Sequence, residues 1–243
     1  MTTTERLYLA SFAVERAKLA AFAVRRGTIP PSGDLGYALH QALNEAFGEG
    51  APKPFHFTND FDQPLLAYTQ HEASTLQELA FRQRQDVQTW TLASEALGFA
   101  SLQVRPLPEN WAQGTCYRFS VRTRPVCRLA RHQERGLPRE CDVFLRAVTS
   151  KKDDDEWIDK QDVYSAWFRE QIPETAAALQ NLRISRLSRT QVYRKGSPSL
   201  AGPDVTFSGV LQVGDPAVFR DCLRRGVGRH RAFGFGMILL GSP

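Results

Sequence analysis

Arg225-Gly226-Val227-Gly228-Arg229-His230-Arg231-Ala232-Phe233-Gly234-Phe235-Gly236-Met237 is the stretch on which the reading of this chain turns. Its glycines permit φ > 0 and close backbone approach. Bared N–H groups beside three arginines and a histidine would make a seat for phosphate. Asp215–Arg224, just before it, reads as a helix with Asp215 as cap and Pro216 in the first turn. Phe235–Leu240, just after it, reads as a strand. Rossmann and Walker loops run the other way, from strand to helix, and the Walker loop also needs Gly-Lys-Ser/Thr. Arg231–Ile238 partly matches the RNA-recognition-motif signature, although on a last strand rather than the usual one. An ordinary glycine-rich turn remains the competing reading of the same residues.

Working back from this loop, Arg183–Arg194 and Asp204–Val213 read as a β-hairpin, and Asp159–Leu182 as a helix with Pro173 as a possible break. Cys141–Val148 is apolar enough for a strand. A unit running from 139 to 243 then has the order β-α-β-β-α-β, which is ferredoxin-like. In the first half, Arg6–Ala13 and Gln63–Gln70 read as strands. Asp34 is a plausible cap for a helix to Phe47, with Leu35, Leu39, Leu43 and Phe47 as its buried stripe. Phe99–Arg105 and Cys116–Arg124 read as two further strands. Glu72–Leu97, without Pro or Gly, reads as extra helix. The fold expected is α+β: two tandem ferredoxin-like (RRM-like) domains at 1–138 and 139–243, with a helical insertion at about 72–97 in the first.

The chain has 243 residues, 31 Lys+Arg against 26 Asp+Glu, and a formal net charge of +5. So modest an excess does not establish nucleic-acid binding, but its clustering in Arg118–Arg139, Arg183–Lys195 and Arg220–Arg231 predicts basic faces. Cys116, Cys127, Cys141 and Cys222 lack C-x-x-C spacing, which argues against a zinc ribbon. Asp60, Asp62 and the Asp153–Glu156 cluster do not build a two-metal site, so no metal and no cofactor is expected. The charged N-terminal stretch cannot span a bilayer and does not read as a secretory leader, so a cytoplasmic protein without membrane contact is expected.

Tyr37 and His40 share a helical face. An imidazole can move a proton at neutral pH, although a lone helical histidine is more often an exposed surface residue. Arg183, Arg186, Arg189, Arg194 and Lys195 lie on one hairpin, either as a charge-protected edge or as phosphate ligands. Arg122, with Arg118, is on the polar face of the strand Cys116–Arg124, and Arg124 closes that strand.

The run Asp215-Pro216…Leu223-Arg224-Arg225-Gly226-Val227-Gly228…Ala232-Phe233-Gly234-Phe235-Gly236-Met237-Ile238-Leu239 closely resembles the closing motif of CRISPR repeat-processing endoribonucleases of the CasE type, which have relatives in type IV systems. Phe207–Val213 and Ala166-Trp167-Phe168 are similar to other parts of that family, and Tyr37-Ala38-Leu39-His40 resembles its Tyr-x-x-His. The resemblance implies cleavage without metal, by attack of a ribose 2′-OH on the adjoining phosphate. His40 would then be base or acid, with Tyr37 positioning it. Arg25 and Arg26, expected in the loop before this helix, would steady charge, and His230 is a candidate second proton-transfer group. The RNA would be gripped by Arg122, Arg124, Arg183, Arg186, Arg189, Arg194, Lys195, Arg225, Gly226, Gly228, Arg229, His230 and Arg231. The implied partners are the repeat stem-loop and other subunits of a CRISPR effector complex. The alternative is a subunit of such a complex that binds RNA without cutting it.

Overall fold

The computed structural model describes residues 6–29, 35–58, 63–83, 91–129, 140–150, 157–192 and 200–242. The first unit contains the strands Tyr8–Phe12 (β1), Phe55–His56 (β2), Leu65–Thr69 (β3) and Gln103–Pro106 (β4). Between β1 and β2 come the helices Arg16–Arg26 (α1) and Gly36–Phe47 (α2). Between β3 and β4 come Ala73–Arg82 (α3) and Leu92–Ala96 (α4). The strands form one antiparallel sheet in the order β2-β3-β1-β4. This is the ferredoxin-like order, with each crossover built from two helices.

The second unit repeats the plan. Its strands are Cys116–Thr123 (β5), Ala177–Val192 (β8), Leu200–Val213 (β9) and Ile238–Gly241 (β10), in the antiparallel order β10-β5-β9-β8. Its helices are Val143–Thr149 (α5), Lys160–Gln171 (α6) and Pro216–Arg225 (α7). A small two-stranded sheet, Val126–Arg128 (β6) and Glu140–Asp142 (β7), branches off after β5.

Cys116–Thr123 is the first strand of the second unit, hydrogen-bonded to both β9 and β10. By sheet membership the chain divides between Pro106 and Cys116, not at 138/139. The helices within 72–97 are the first unit's second crossover rather than an insertion: Leu76, Ala80, Ala93 and Ala96 are buried in its core. Cys141–Val148 is mostly helix, because the Asp142 carboxylate accepts the N–H of Phe144 and caps α5. The helix expected over 159–182 ends at Gln171, two residues before Pro173, and β8 begins at Ala177. The Asp34 cap, Arg194 and Lys195 lie outside the described residues.

The α2 stripe follows the sequence periodicity. Leu39, Leu43 and Phe47 are buried against Phe12, Phe22 and Phe55 in the first core. Each such side chain contributes roughly 1.5–3 kcal/mol on burial. In the second core Phe168 stacks on Phe207 at 4.4 Å between ring centroids, and Trp111 meets Phe219 edge-on at 5.2 Å. Leu7 and Tyr68 of the first unit are buried in this second core, and the Tyr68 hydroxyl donates to the Ile238 carbonyl at 2.6 Å. That bond ties β3 to β10 and fixes one unit against the other.

Candidate active site

The segment after α7 is shaped by its glycines. Gly226, Gly228, Gly234 and Gly236 all have φ between 67° and 85°. A Cβ on Gly236 would lie 2.2 Å from the Val227 carbonyl oxygen, and one on Gly226 would lie 2.7 Å from the Gly236 oxygen. Several N–H groups here are already engaged. Val227 donates to Gly236 (2.9 Å), Gly226 to Cys222 (2.9 Å) and Gly236 to Arg122 (2.7 Å). The glycines therefore let two backbone runs close on each other; they do not simply bare amides for a ligand.

So folded, the loop presents Arg225, Arg229, His230, Arg231 and Phe233 to a cleft of about 780 Å³ between the units. The opposite wall comes from α2 and the β2–β3 region and includes His40, Asn44, Lys53 and His71. Phe233 joins the walls. Its ring centroid is 5.9 Å from those of Tyr37, His40 and His230. The Asn44 side-chain amide nitrogen is 3.1 Å from His40 Nε2 and 3.2 Å from Nδ1. The Tyr37 hydroxyl accepts from the Gln41 amide at 2.8 Å, and Tyr37 supports Phe233 from outside the cleft lining.

His230 Nε2 lies 2.7 Å from Glu140 Oε1, and Arg229 Nε donates to Glu140 Oε2 at 3.2 Å. Burial works against the charge on Glu140, but the bonds from His230 and Arg229 prevail and hold its carboxyl below the usual range. His230 itself has φ 60°, in the left-handed region that non-glycine residues seldom occupy. Arg231 donates to the Arg225 carbonyl at 2.8 Å.

Not every expected site residue reaches this cleft. Arg25 and Arg26 form the last turn of α1, not a loop, and neither lines the cleft. Arg26 is paired with Glu45 of α2 at 2.6 Å. Arg122 and Arg124 are not surface ligands. Arg122 makes a two-pronged bond to Asp204 and lies 4.4 Å over the Phe235 ring. Arg124 is 1% exposed and donates to the Thr190 carbonyl. Their strand alternates as its sequence implies, but its polar face is enclosed. Arg183 and Arg186 are exposed on β8, an edge strand, opposite Ser208 and Thr206. Arg189 is exposed too, opposite Pro203 of β9.

Asn44, Lys53, His71, Phe233 and Glu140 were not singled out by the sequence reading. His56, also passed over there, is mostly buried near Arg122; burial first, and then that guanidinium, lower its pKa to about 4. Its Nδ1 has no hydrogen-bond partner among the described residues. No group of three or more His, Cys, Asp or Glu able to hold a metal occurs among the described residues, and no helix among them is long and apolar enough to cross a membrane.

The family model described as CRISPR associated protein matches residues 7–241. The chain belongs to this family. The CRISPR endoribonuclease Cse3 bound to a 19-nt RNA has the same fold, with a TM-score of 0.62 at 18% identity over 97% of this chain and 99% of that one. Cas6e from Escherichia coli K-12 superposes with a TM-score of 0.54 at 19% identity, over 97% of this chain and all of that one. A chain of a CRISPR RNA-guided surveillance complex gives 0.55 at 16% identity, covering 97% and 100%. No curated protein matches by sequence. The tandem ferredoxin-like fold of this CRISPR associated protein is thus that of Cse3 and Cas6e.

Proposed function

We propose that this CRISPR associated protein is an endoribonuclease that cuts precursor RNA at the repeat hairpin, without metal, and keeps hold of its product within a larger CRISPR complex. One observation carries the reading: His40 stands on the wall of an inter-unit cleft whose other wall presents Arg225, Arg229 and Arg231. Cations on one wall hold a phosphate and offset charge as the phosphorane forms, and an imidazole on the other moves a proton. The Cse3 structure, in which a protein of this fold is bound to RNA, supports the assignment.

In this reading His40 takes the proton from the 2′-OH. The 2′-oxygen attacks phosphorus, and the P–O5′ bond breaks to leave a 2′,3′-cyclic phosphate and a 5′-OH. Asn44 orients the imidazole, while Tyr37 and Phe233 hold it in place from behind. The stabilising cation comes from the glycine loop or Lys53 rather than from Arg25 or Arg26.

The test is single-turnover cleavage of the cognate repeat hairpin in EDTA. Cleavage by the natural sequence, a loss of about 10²–10⁴-fold for His40→Ala with binding retained, and no cleavage when the 2′-OH at the cut site is replaced by hydrogen are the expected results. Bound but intact RNA with every cognate repeat would make the protein a binder only. Continued cleavage of the 2′-deoxy substrate would exclude the mechanism.

A further inference from the structure

The cleft holds a second imidazole built for proton transfer. His230 lines the same cleft as His40, and both rings pack on Phe233, each with its centroid 5.9 Å from that of Phe233. Its Nε2 is tied to Glu140, and its side chain is only 11% exposed although it lines the cleft. Glu140 reaches it from β7, part of the small sheet that stands outside the ferredoxin-like plan. The backbone at His230 adopts a left-handed conformation that non-glycine residues seldom occupy. Gly228 and Gly234 of the same loop take this conformation without a side chain. A histidine kept at a strained position, with a carboxylate on one ring nitrogen, has the layout of an oriented acid–base dyad, in which the carboxylate fixes the ring and offsets its positive charge.

We infer that His230 is the general acid of the cleavage proposed above, with Glu140 as its positioning residue. The inference rests on that reading. His40 removes the 2′-proton, the O2′–P bond forms, and the P–O5′ bond breaks. His230, as imidazolium, delivers a proton to O5′ as it leaves. Glu140 stays ionised throughout. The proton count closes: one proton passes from O2′ to His40 and one from His230 to O5′.

The experiment separates an acid from a structural prop. His230→Asn is the first variant, because asparagine tolerates the left-handed region best among non-glycine residues. Glu140→Gln is the second. Each is assayed under single turnover on the natural hairpin and on one carrying sulfur in place of the bridging O5′. Thiolate leaves without a proton. On natural RNA His230→Asn is expected to lose on the order of 10²–10⁴-fold and Glu140→Gln a smaller factor, with binding within a few-fold of the unsubstituted protein. On the sulfur substrate both should approach the unsubstituted rate, while His40→Ala stays slow. An equal loss on both substrates would overturn the assignment and leave His230 a structural residue. Rescue of His40→Ala instead would exchange the two roles. Failure of the unsubstituted protein to cut either RNA would sink the proposed function itself.

Discussion

Arg122 and Asp204 meet through two hydrogen bonds, Nε to Oδ1 at 2.9 Å and Nη2 to Oδ2 at 2.6 Å, with side chains 15% and 5% exposed. Arg122→Ala would leave Asp204 buried and unpaired, at a cost of about 3–5 kcal/mol. Urea denaturation should show that loss, while the RNA affinity of the folded protein keeps its salt dependence. A variant of unchanged stability with a shallower salt slope would return Arg122 to the phosphate ligands.

The salt slope should respond elsewhere. Arg225 is exposed at the cleft, and its Nε pairs with the partly exposed Asp221 at 2.8 Å. Arg186 is exposed on β8. Each contact to a phosphate adds close to one to the slope of log K against log salt, so Arg225→Ala and Arg186→Ala should each lower it by about 1. Arg26→Ala should leave it unchanged, because Arg26 is paired with Glu45 outside the cleft lining. Filter binding of the repeat hairpin over a salt series measures all three.

These outcomes mark where the sequence was legible. Periodicity exposed α2, because a buried stripe needs only local spacing: Leu39, Leu43 and Phe47 all face the core. The strand Cys116–Thr123 was equally visible, but its sheet was not. Its partners Val205–Gln212 and Ile238–Gly241 are remote in sequence, and the alternation of one strand says nothing about which strand lies beside it. The same limit misplaced Arg122, whose polar alternation was read correctly and whose partner Asp204 arrives only through the β5–β9 register. β2, with two residues, is too short to leave a pattern, so Lys53 went unnoticed and His71 showed no partner in the sequence. The glycine loop stood out by composition, yet its geometry comes from two backbone runs in contact.

Phe233 is expected to control rate more than affinity. Its ring contacts those of Tyr37, His40 and His230 alike. Phe233→Ala removes that spacer and lets both imidazoles drift; misplacement by about 1 Å can cost on the order of 10²-fold. Single-turnover rates at saturating protein should fall by about that factor with the dissociation constant little changed. A loss confined to binding would mean that Phe233 stacks on a base instead.

Stability should fall between pH 6.5 and about 4 because of His56. Its pKa is lower in the folded chain, by burial first and Arg122 second. In that window the unfolded chain takes up a proton that the folded chain refuses, so acid favours unfolding. The contribution is complete above the unfolded value and is lost as pH drops through the window, on the order of 3 kcal/mol in all. His56→Gln should flatten this part of a stability–pH curve. Glu140→Gln should act only lower, since the Glu140 carboxyl is held below the ordinary carboxylate value. An unaltered slope in His56→Gln would assign the dependence to other groups.

Gly236→Ala tests whether the loop depends on close backbone contact. Gly236 has φ 79°, and the added Cβ would meet the Val227 carbonyl at 2.2 Å. That carbonyl cannot swing aside freely, because the Val227 N–H bonds the Gly236 carbonyl and the Gly236 N–H bonds Arg122. Relaxing the clash breaks one of these bonds, at about 1 kcal/mol, on top of about 1–2 kcal/mol for an L-residue in the left-handed region. A fall in Tm on the order of 5–10 °C follows for a chain of this size. Cleavage should drop with it, since His230 and Phe233 lose their anchor. Gly241→Ala is the control: it has nothing within 4 Å of its added Cβ and ordinary φ, and should change neither. If Gly236→Ala were as stable and as active as this control, the loop would not owe its shape to that contact.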